Sequence, residues 1–441
     1  MYILALFLQK RLYFHPPVRS SQKMAKKCIV ILGGSYGGIS AAHNILEHII
    51  PSLPNSSTYE LVLVSTSAYA MCRPACPRAL ISDKMFDQDK LFVSISKQFE
   101  QYKSNFRLIN GTATELRSDQ RTVSVNAAGA VESIDYHALI IATGASTYSP
   151  LFGFNRDEVF LRASWDAFRQ ALPLAKSIVI AGGGPTGVET AGELGEHLNG
   201  RAGWFSSKLE SPKVAITLIS AGDNLLPNLR PAIAKEAETH LAKVGVTIIK
   251  NARVKNVAQQ GIQEELGTSH GPGIDDVAAK ATLSLDNDTV IDADLYIPSF
   301  GTRPNTSFVT DSSLLTADHR IATNASTLRV DASGPRVYAI GDVSSYAAPS
   351  VHQLLAAIPV LTANIKRDLL AAAGKDVTGE DRVFKEDTRE TQLVPIGKSK
   401  GVGAVMGYRV PSFLIWLIKG RDYWLWTTGN LWSGKQWAKE G

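Results

Sequence analysis

Apolar and polar positions follow a repeating order along the chain. A short β-branched run, CIVIL (Cys28 to Leu32), leads into the glycine cluster GGSYGG (Gly33 to Gly38) and then into ISAAHNILEHI, which reads as helix. This predicts a buried strand, a tight turn and a helix. A second apolar run, ELVLVST (Glu60 to Thr66), predicts the next parallel strand and completes a βαβ unit. The same grammar returns about 150 residues later in SIVIAGGGPTGVETAGELGEHL (Ser177 to Leu198) and VAITLIS (Val214 to Ser220).

Between the two units, Thr122 to Ser146 reads as short strands joined by a glycine turn and closed by a buried strand ending in ATG. The second unit is followed by the matching DADLYIPSFGTRPN (Asp292 to Asn305). RVYAIGDVSS (Arg336 to Ser345), an alanine-rich helical segment from about Ser350 to Ala373 and a Gly-, Lys- and Trp-rich tail follow. The order implies nesting. The expected fold class is α/β, with two nested Rossmann-like dinucleotide-binding domains and a small C-terminal α+β domain. The first domain would take residues 24–150 and 296–377, the second 151–295 and the last 378–441, with 1–23 as a leader or extension.

Composition narrows the class without naming a chemistry. The 441 residues are 44% apolar and 20% charged, which suits a globular protein with ample core. A net charge of +5 over so large a surface gives no argument for nucleic-acid binding. Three cysteines cannot staple a scaffold and fit a reducing compartment, and the nine histidines show no metal-ligand spacing. No apolar run is long enough to span a bilayer. The opening MYILALFL is followed by Lys10, Arg11, Arg19, Lys23, Lys26 and Lys27, with no acid before Glu47. Positive charges after the apolar run do not make a secretory signal. Translation from Met1 suits mitochondrial targeting, whereas a start at Met24 leaves a cytoplasmic protein.

The glycines carry the first chemical argument. In a dinucleotide fold the first glycine makes the turn, the second admits the pyrophosphate and the third lets helix and strand pack closely. Gly182, Gly184 and Gly187 fill these places in the second unit, while the first has Gly33 and Gly38 with Ser35 between them. At the end of the following strand, where a carboxylate usually reads the ribose, both units have serine: Ser65 and Ser220. A neutral Ser220 removes the penalty against a 2′-phosphate, so NADPH should be tolerated unless Asp223 replaces the missing acid.

The set GGSYGG, IIATGAS, GGGPTGVETAGEL, GTRPN and YAIGDVSS, in this order, resembles the pyridine nucleotide-disulfide oxidoreductase superfamily. The stretch Ile396 to Trp424, with its KGRD element, is similar to the apoptosis-inducing-factor-like branch, including the ferroptosis-suppressor flavoproteins that reduce quinones. The resemblance implies FAD in the first unit and NAD(P)H in the second. It also implies that hydride passes from nicotinamide to flavin and two electrons then pass to an acceptor, most readily a quinone. Thr143 and Gly144 would meet the FAD, Asp342 would bond its ribityl chain ahead of a helix aimed at the flavin, and Arg78 would lie near it. Gly301 is a further cofactor-binding candidate. Glu189, on the first turn of the nucleotide helix, and Lys419 in KGRD are the candidate catalytic residues. A lysine there could stabilise a quinol oxyanion or give up its proton.

Five of the seven tryptophans lie in the last 26 residues, interleaved with Lys419, Arg421, Lys435 and Lys439. Aromatic rings with flanking cations suit a membrane surface; packing on the body of the protein or on a second copy in a homodimer is the alternative. Two rival functions remain. Cys72 and Cys76 lie where disulfide reductases carry their redox pair, though spaced by three residues and not four. A flavin-bound redox-signalling protein of slow turnover is the other.

Overall fold

The computed structural model describes residues 26–260, 274 and 276–440, so the leader expected at 1–23 lies outside the described residues. Nine strands build two parallel sheets: β1 (Lys27–Leu32), β2 (Tyr59–Ser65), β3 (Phe106–Asn110), β4 (Ala138–Ile141), β5 (Ser177–Ala181), β6 (Ala215–Ile219), β7 (Val246–Ile249), β8 (Leu295–Pro298) and β9 (Val337–Ala339). The first sheet has the order β9-β4-β1-β2-β3 and the second β7-β6-β5-β8. The second order copies the first without its outermost strand.

Each central strand is buried on both faces, which is why it reads as an unbroken apolar run. In β1, Ile29 and Ile31 pack with the helical side while Val30 and Leu32 pack beneath the antiparallel ribbon of residues 112–135. In β5, Ile178 and Ile180 face the helical side, and Val179 and Ala181 face the ribbon of residues 254–293. The period of two along each strand thus assigns one set of side chains to each layer.

The chain leaves the first sheet after β4, builds the second and returns as β9, which pairs with β4 at Tyr338 and Ile140. This topology gives the expected nesting. Residues 295–298 hydrogen-bond to β5, so the division expected near 295 falls at the start of β8. Helices α1 (Tyr36–Asn44) and α2 (Pro185–Asn199) follow the glycine turns, and α3 (Val351–Ala372) covers α1. The C-terminal part is an antiparallel sheet of β10 (Gln392–Ile396), β11 (Lys400–Val405) and β12 (Tyr408–Arg409), followed by short helical turns. That sheet packs against α2 and carries the turn containing Lys419 to it.

Candidate active site

Both glycine turns sit at the carboxyl end of a central strand, the usual position for a nucleotide in such sheets. Gly33 has φ +118°, and a Cβ there would lie 2.1 Å from the Ala142 carbonyl oxygen; one on Gly38 would lie 1.8 Å from that of Gly33. Gly182 repeats this with φ +130°, and a Cβ on Gly187 would lie 1.9 Å from the Gly182 carbonyl oxygen. The first and third positions are therefore glycine because the backbone packing leaves no room. The middle position is different. A Cβ on Gly184 would meet nothing within 4 Å, and Ser35 is exposed. Neither residue caps its helix through a side chain, so the first N–H groups of α1 and α2 have no such partner. Bare donors beside open space fit the pyrophosphates of FAD and NAD(P)H.

The serines after β2 and β6 are placed alike. Cβ atoms on Gly34 and Gly183 would each come within 2.4 Å of Oγ of Ser65 and Ser220, respectively. Ser65 Oγ donates to the Ser67 carbonyl at 2.7 Å, and Asp223 is exposed on the loop beyond Ser220. Thr143 and Gly144 are strapped to the second crossover by Asn305. Thr143 Oγ1 donates to the Asn305 carbonyl at 2.8 Å, Asn305 Nδ2 donates to that of Thr143 at 2.9 Å, and the Asn305 N–H donates to that of Gly144 at 3.0 Å. Gly301, at φ +57°, packs beside the Tyr148 ring.

Asp342 lies 3.6 Å from Arg73 Nη1, both partly open, and Arg73 also donates to the Phe152 and Ala145 carbonyls. Sequence reading missed Arg73. The helix expected directly after Asp342 begins only at Val351, because Ser350 caps it by accepting from the Gln353 N–H at 3.3 Å. Asp342 is therefore not a helix cap, and its carboxylate stays available.

The charged centre is buried. Glu189 and Lys419 are 3% and 6% exposed, and Lys419 Nζ donates to Glu189 Oε1 at 2.5 Å and to the Leu393 carbonyl at 3.0 Å. Nζ also lies 4.9 Å from the Trp424 ring centroid and 5.6 Å from that of Tyr423. One turn along α2, Glu193 accepts from Arg78 at 2.9 and 2.7 Å and from the Tyr423 hydroxyl at 3.0 Å. Two buried acids thus meet two buried cations from different parts of the chain. Glu193 and Tyr423, each four residues from a predicted catalytic residue on a helical turn, were legible only as that spacing.

Burial pushes the Glu189 carboxyl from its ordinary 4.5 up to about 7, against the lowering pull of Lys419. An acid with a raised folded-state pKa contributes stability that is fully present below the unfolded value and lost as pH rises through the folded one. The stability of Glu189→Gln relative to wild type is accordingly expected to rise by about 3 kcal/mol between pH 4.5 and 7 and then level off. Urea unfolding of the two proteins across this window tests it; parallel stability curves would contradict the assignment.

Three sequence expectations change here. Arg78 directs its guanidinium to Glu193 and to backbone carbonyls, which leaves no N–H for a cofactor. Cys72 and Cys76 are free, fully buried thiols, raised by burial to about 11 and about 12, so neither is a ready nucleophile at neutral pH. The tryptophans of the tail divide into two sets. Trp432 packs edge-on against Tyr36 with its carbonyl 2.8 Å from His43 Nε2, and Trp437 is also buried, while Trp416 and Trp426 remain exposed. Among the described residues no helix is long and apolar enough to cross a membrane.

Comparison with known proteins agrees with this geometry. The family model described as pyridine nucleotide-disulphide oxidoreductase matches residues 27–359. The chain is 60% identical over 418 residues to oxidoreductase phnG of Penicillium herquei, covering 94% of this chain and 98% of that one. It is 26% identical to ferroptosis suppressor protein 1 of Homo sapiens over 407 residues, covering 91% and 94%. The solved structure of NDH2 from Plasmodium falciparum superposes with a TM-score of 0.60 at 15% identity, covering 94% of this chain and 99% of that one.

Proposed function

The chain belongs to the pyridine nucleotide-disulphide oxidoreductase family and is an NAD(P)H-dependent flavoenzyme with FAD as its cofactor; on that premise we propose that its two-electron acceptor is a quinone. FAD, when bound, would supply the two-electron redox chemistry that links the nicotinamide to the acceptor. The protein's part is to hold both nucleotides and manage protons. The turns at Gly33–Gly38 and Gly182–Gly187 would seat the pyrophosphates on α1 and α2, and the strap through Thr143, Gly144 and Asn305 ties the two crossover segments to one another. Glu189 and Lys419 hold an exchangeable proton between Oε1 and Nζ in a site closed to water, where a quinone oxygen needs one.

The observation that carries this reading is the two-sided turn around Lys419. Lys419 points inward to Glu189, while Phe413, Trp416 and Leu417 on the same stretch are 65%, 39% and 46% exposed. Trp426, 58% exposed, donates from Nε1 to the Ile418 carbonyl at 3.3 Å and extends that apolar wall. A polar proton donor behind an apolar surface suits an acceptor with a polar ring and a greasy tail.

Anaerobic stopped-flow tests the reading. The holoprotein is reduced with NADH or NADPH and then offered a quinone, dioxygen, cytochrome c or a disulfide. The quinone is expected to restore the oxidised flavin spectrum fastest; a disulfide doing so faster would overturn the proposal. In the same assay the kcat/KM ratio of NADH to NADPH is expected to stay below about 100, because Ser220 offers no carboxylate to repel the 2′-phosphate.

A further inference from the structure

Arg78 sits on the short helix Cys76–Ala79 of the first unit, and only 7% of it is exposed. Nε donates to Glu193 Oε2 at 2.9 Å, and Nη2 donates to Glu193 Oε1 at 2.7 Å and to the Gly397 carbonyl at 3.4 Å. Nη1 donates to the carbonyls of Gly420 at 2.8 Å and Arg421 at 3.3 Å. Those acceptors match the five donors of a guanidinium. Two of them, Gly420 and Arg421, are the backbone groups directly after Lys419.

Tyr423 closes the same assembly. Its N–H donates to the Lys419 carbonyl at 2.6 Å, its hydroxyl donates to Glu193, and its ring centroid lies 4.8 Å from the Arg78 guanidinium carbon. Tyr423 and Trp424 have φ values of +52° and +70°, a left-handed pair that non-glycine residues rarely adopt in succession. That bend returns the Tyr423 ring beneath Lys419 Nζ.

We propose that Arg78, with Glu193 and Tyr423, is the positioning device of the proton-carrying pair: it docks the turn bearing Lys419 onto the nucleotide helix and sets the charge balance felt by Glu189. This rests on the reading that Glu189 and Lys419 serve the reaction. The charged and titratable groups around Glu189 are Lys419 and Tyr423 from the C-terminal turn, Glu193 from its own helix and Arg78 from the first unit. Glu193 and Arg78 act on Glu189 with opposite signs. Removing the acid leaves an unpaired cation nearby and favours the carboxylate; removing the arginine leaves an unpaired anion and favours the acid form. A scaffold role predicts something else, because water entering a loosened site would favour the carboxylate in both variants.

The test is an infrared titration of the Glu189 carboxyl band in oxidised holoprotein, assigned by its loss in Glu189→Gln. Relative to wild type, Glu193→Gln is expected to lower the midpoint, and Arg78→Met to raise it, each by roughly two pH units, as for a unit charge about one helical turn away at an effective dielectric of about 20. Shifts of the same sign, or none, overturn the proposal. Should Arg78→Met fail to fold, Arg78→Lys and Tyr423→Phe decide the positioning part by amide hydrogen exchange. Both are expected to speed exchange in residues 416–421 while the Glu189 midpoint stays close to wild type; unchanged exchange overturns it. These readouts are independent of turnover, so normal quinone reduction by Glu189→Gln would remove the catalytic reading while the midpoints still judge the device.

Discussion

Lys419→Met is expected to lower kcat with a quinone by about 10²–10⁴-fold, the range for loss of a positioned proton donor, while the purified protein keeps its FAD. Methionine nearly matches the length and apolar stem of lysine, so the 6% exposed site should keep its packing. What disappears is the group that donates to Glu189 and to the Leu393 carbonyl. Burial already holds the Glu189 carboxyl up at about 7, and the Lys419 cation exerts the largest pull downward. Without that cation the acid is protonated through neutral pH, so no bare charge is left inside. The stability loss should therefore fall below the 3–5 kcal/mol or so usual for half of a broken buried ion pair. Lys419→Arg keeps the charge but must fit a planar fork where an ammonium sits, and only partial recovery is expected. Stopped-flow separates the steps: re-oxidation by quinone should slow far more than reduction by NAD(P)H. Quinone turnover within about threefold of wild type would remove Lys419 from the chemistry.

What could be read before the fold was known follows from how local each constraint is. The glycine at 187 is demanded by a carbonyl five residues earlier, and the apolar run of β1 by burial on two faces, so both are written in short stretches. The two units repeat because each strand feeds the same pair of layers, which the alternation in Ile29 to Leu32 and Ile178 to Ala181 already encodes. The charged centre was legible only in part. Glu189 and Lys419 could be picked out through motifs, but their partner Glu193 looks like any acid on a helix until Arg78 arrives from 115 residues away. Arg78 was placed near the flavin because the family resemblance implies a positive residue there; its carbonyl acceptors lie more than 300 residues later and leave no trace in spacing. The tail was legible only in part for a related reason. Composition counts Trp416, Trp426, Trp432 and Trp437 alike, whereas His43 and Tyr36 on α1 draw Trp432 inward.

Gly184→Ala should fold as well as wild type and still lose affinity for NAD(P)H by roughly 10- to 100-fold, as when one or two charge-assisted hydrogen bonds are displaced. The backbone at Gly184 is extended, at φ −77° and ψ −179°, so alanine is tolerated there, and its methyl would enter space with nothing within 4 Å. The change in Tm should stay within about 2 °C, since the roughly 1 kcal/mol by which alanine is a poorer N-cap than glycine is small against the unfolding entropy of a chain this long. The methyl instead occupies the approach over the bare N–H groups of α2, where the pyrophosphate must come close. Gly187→Ala is the contrasting variant. Its Cβ would lie 1.9 Å from the Gly182 carbonyl oxygen, so strand and helix must separate and stability should fall together with binding. Ser35 holds the corresponding position in the first unit, and its hydroxyl would itself donate to a phosphate over α1. Gly184→Ser should accordingly lose less affinity than Gly184→Ala, and FAD content should be unchanged in both. Nicotinamide nucleotide titrations followed by tryptophan fluorescence, with thermal melts alongside, measure each of these. Wild-type affinity in Gly184→Ala would mean that the pyrophosphate does not lie over the second turn.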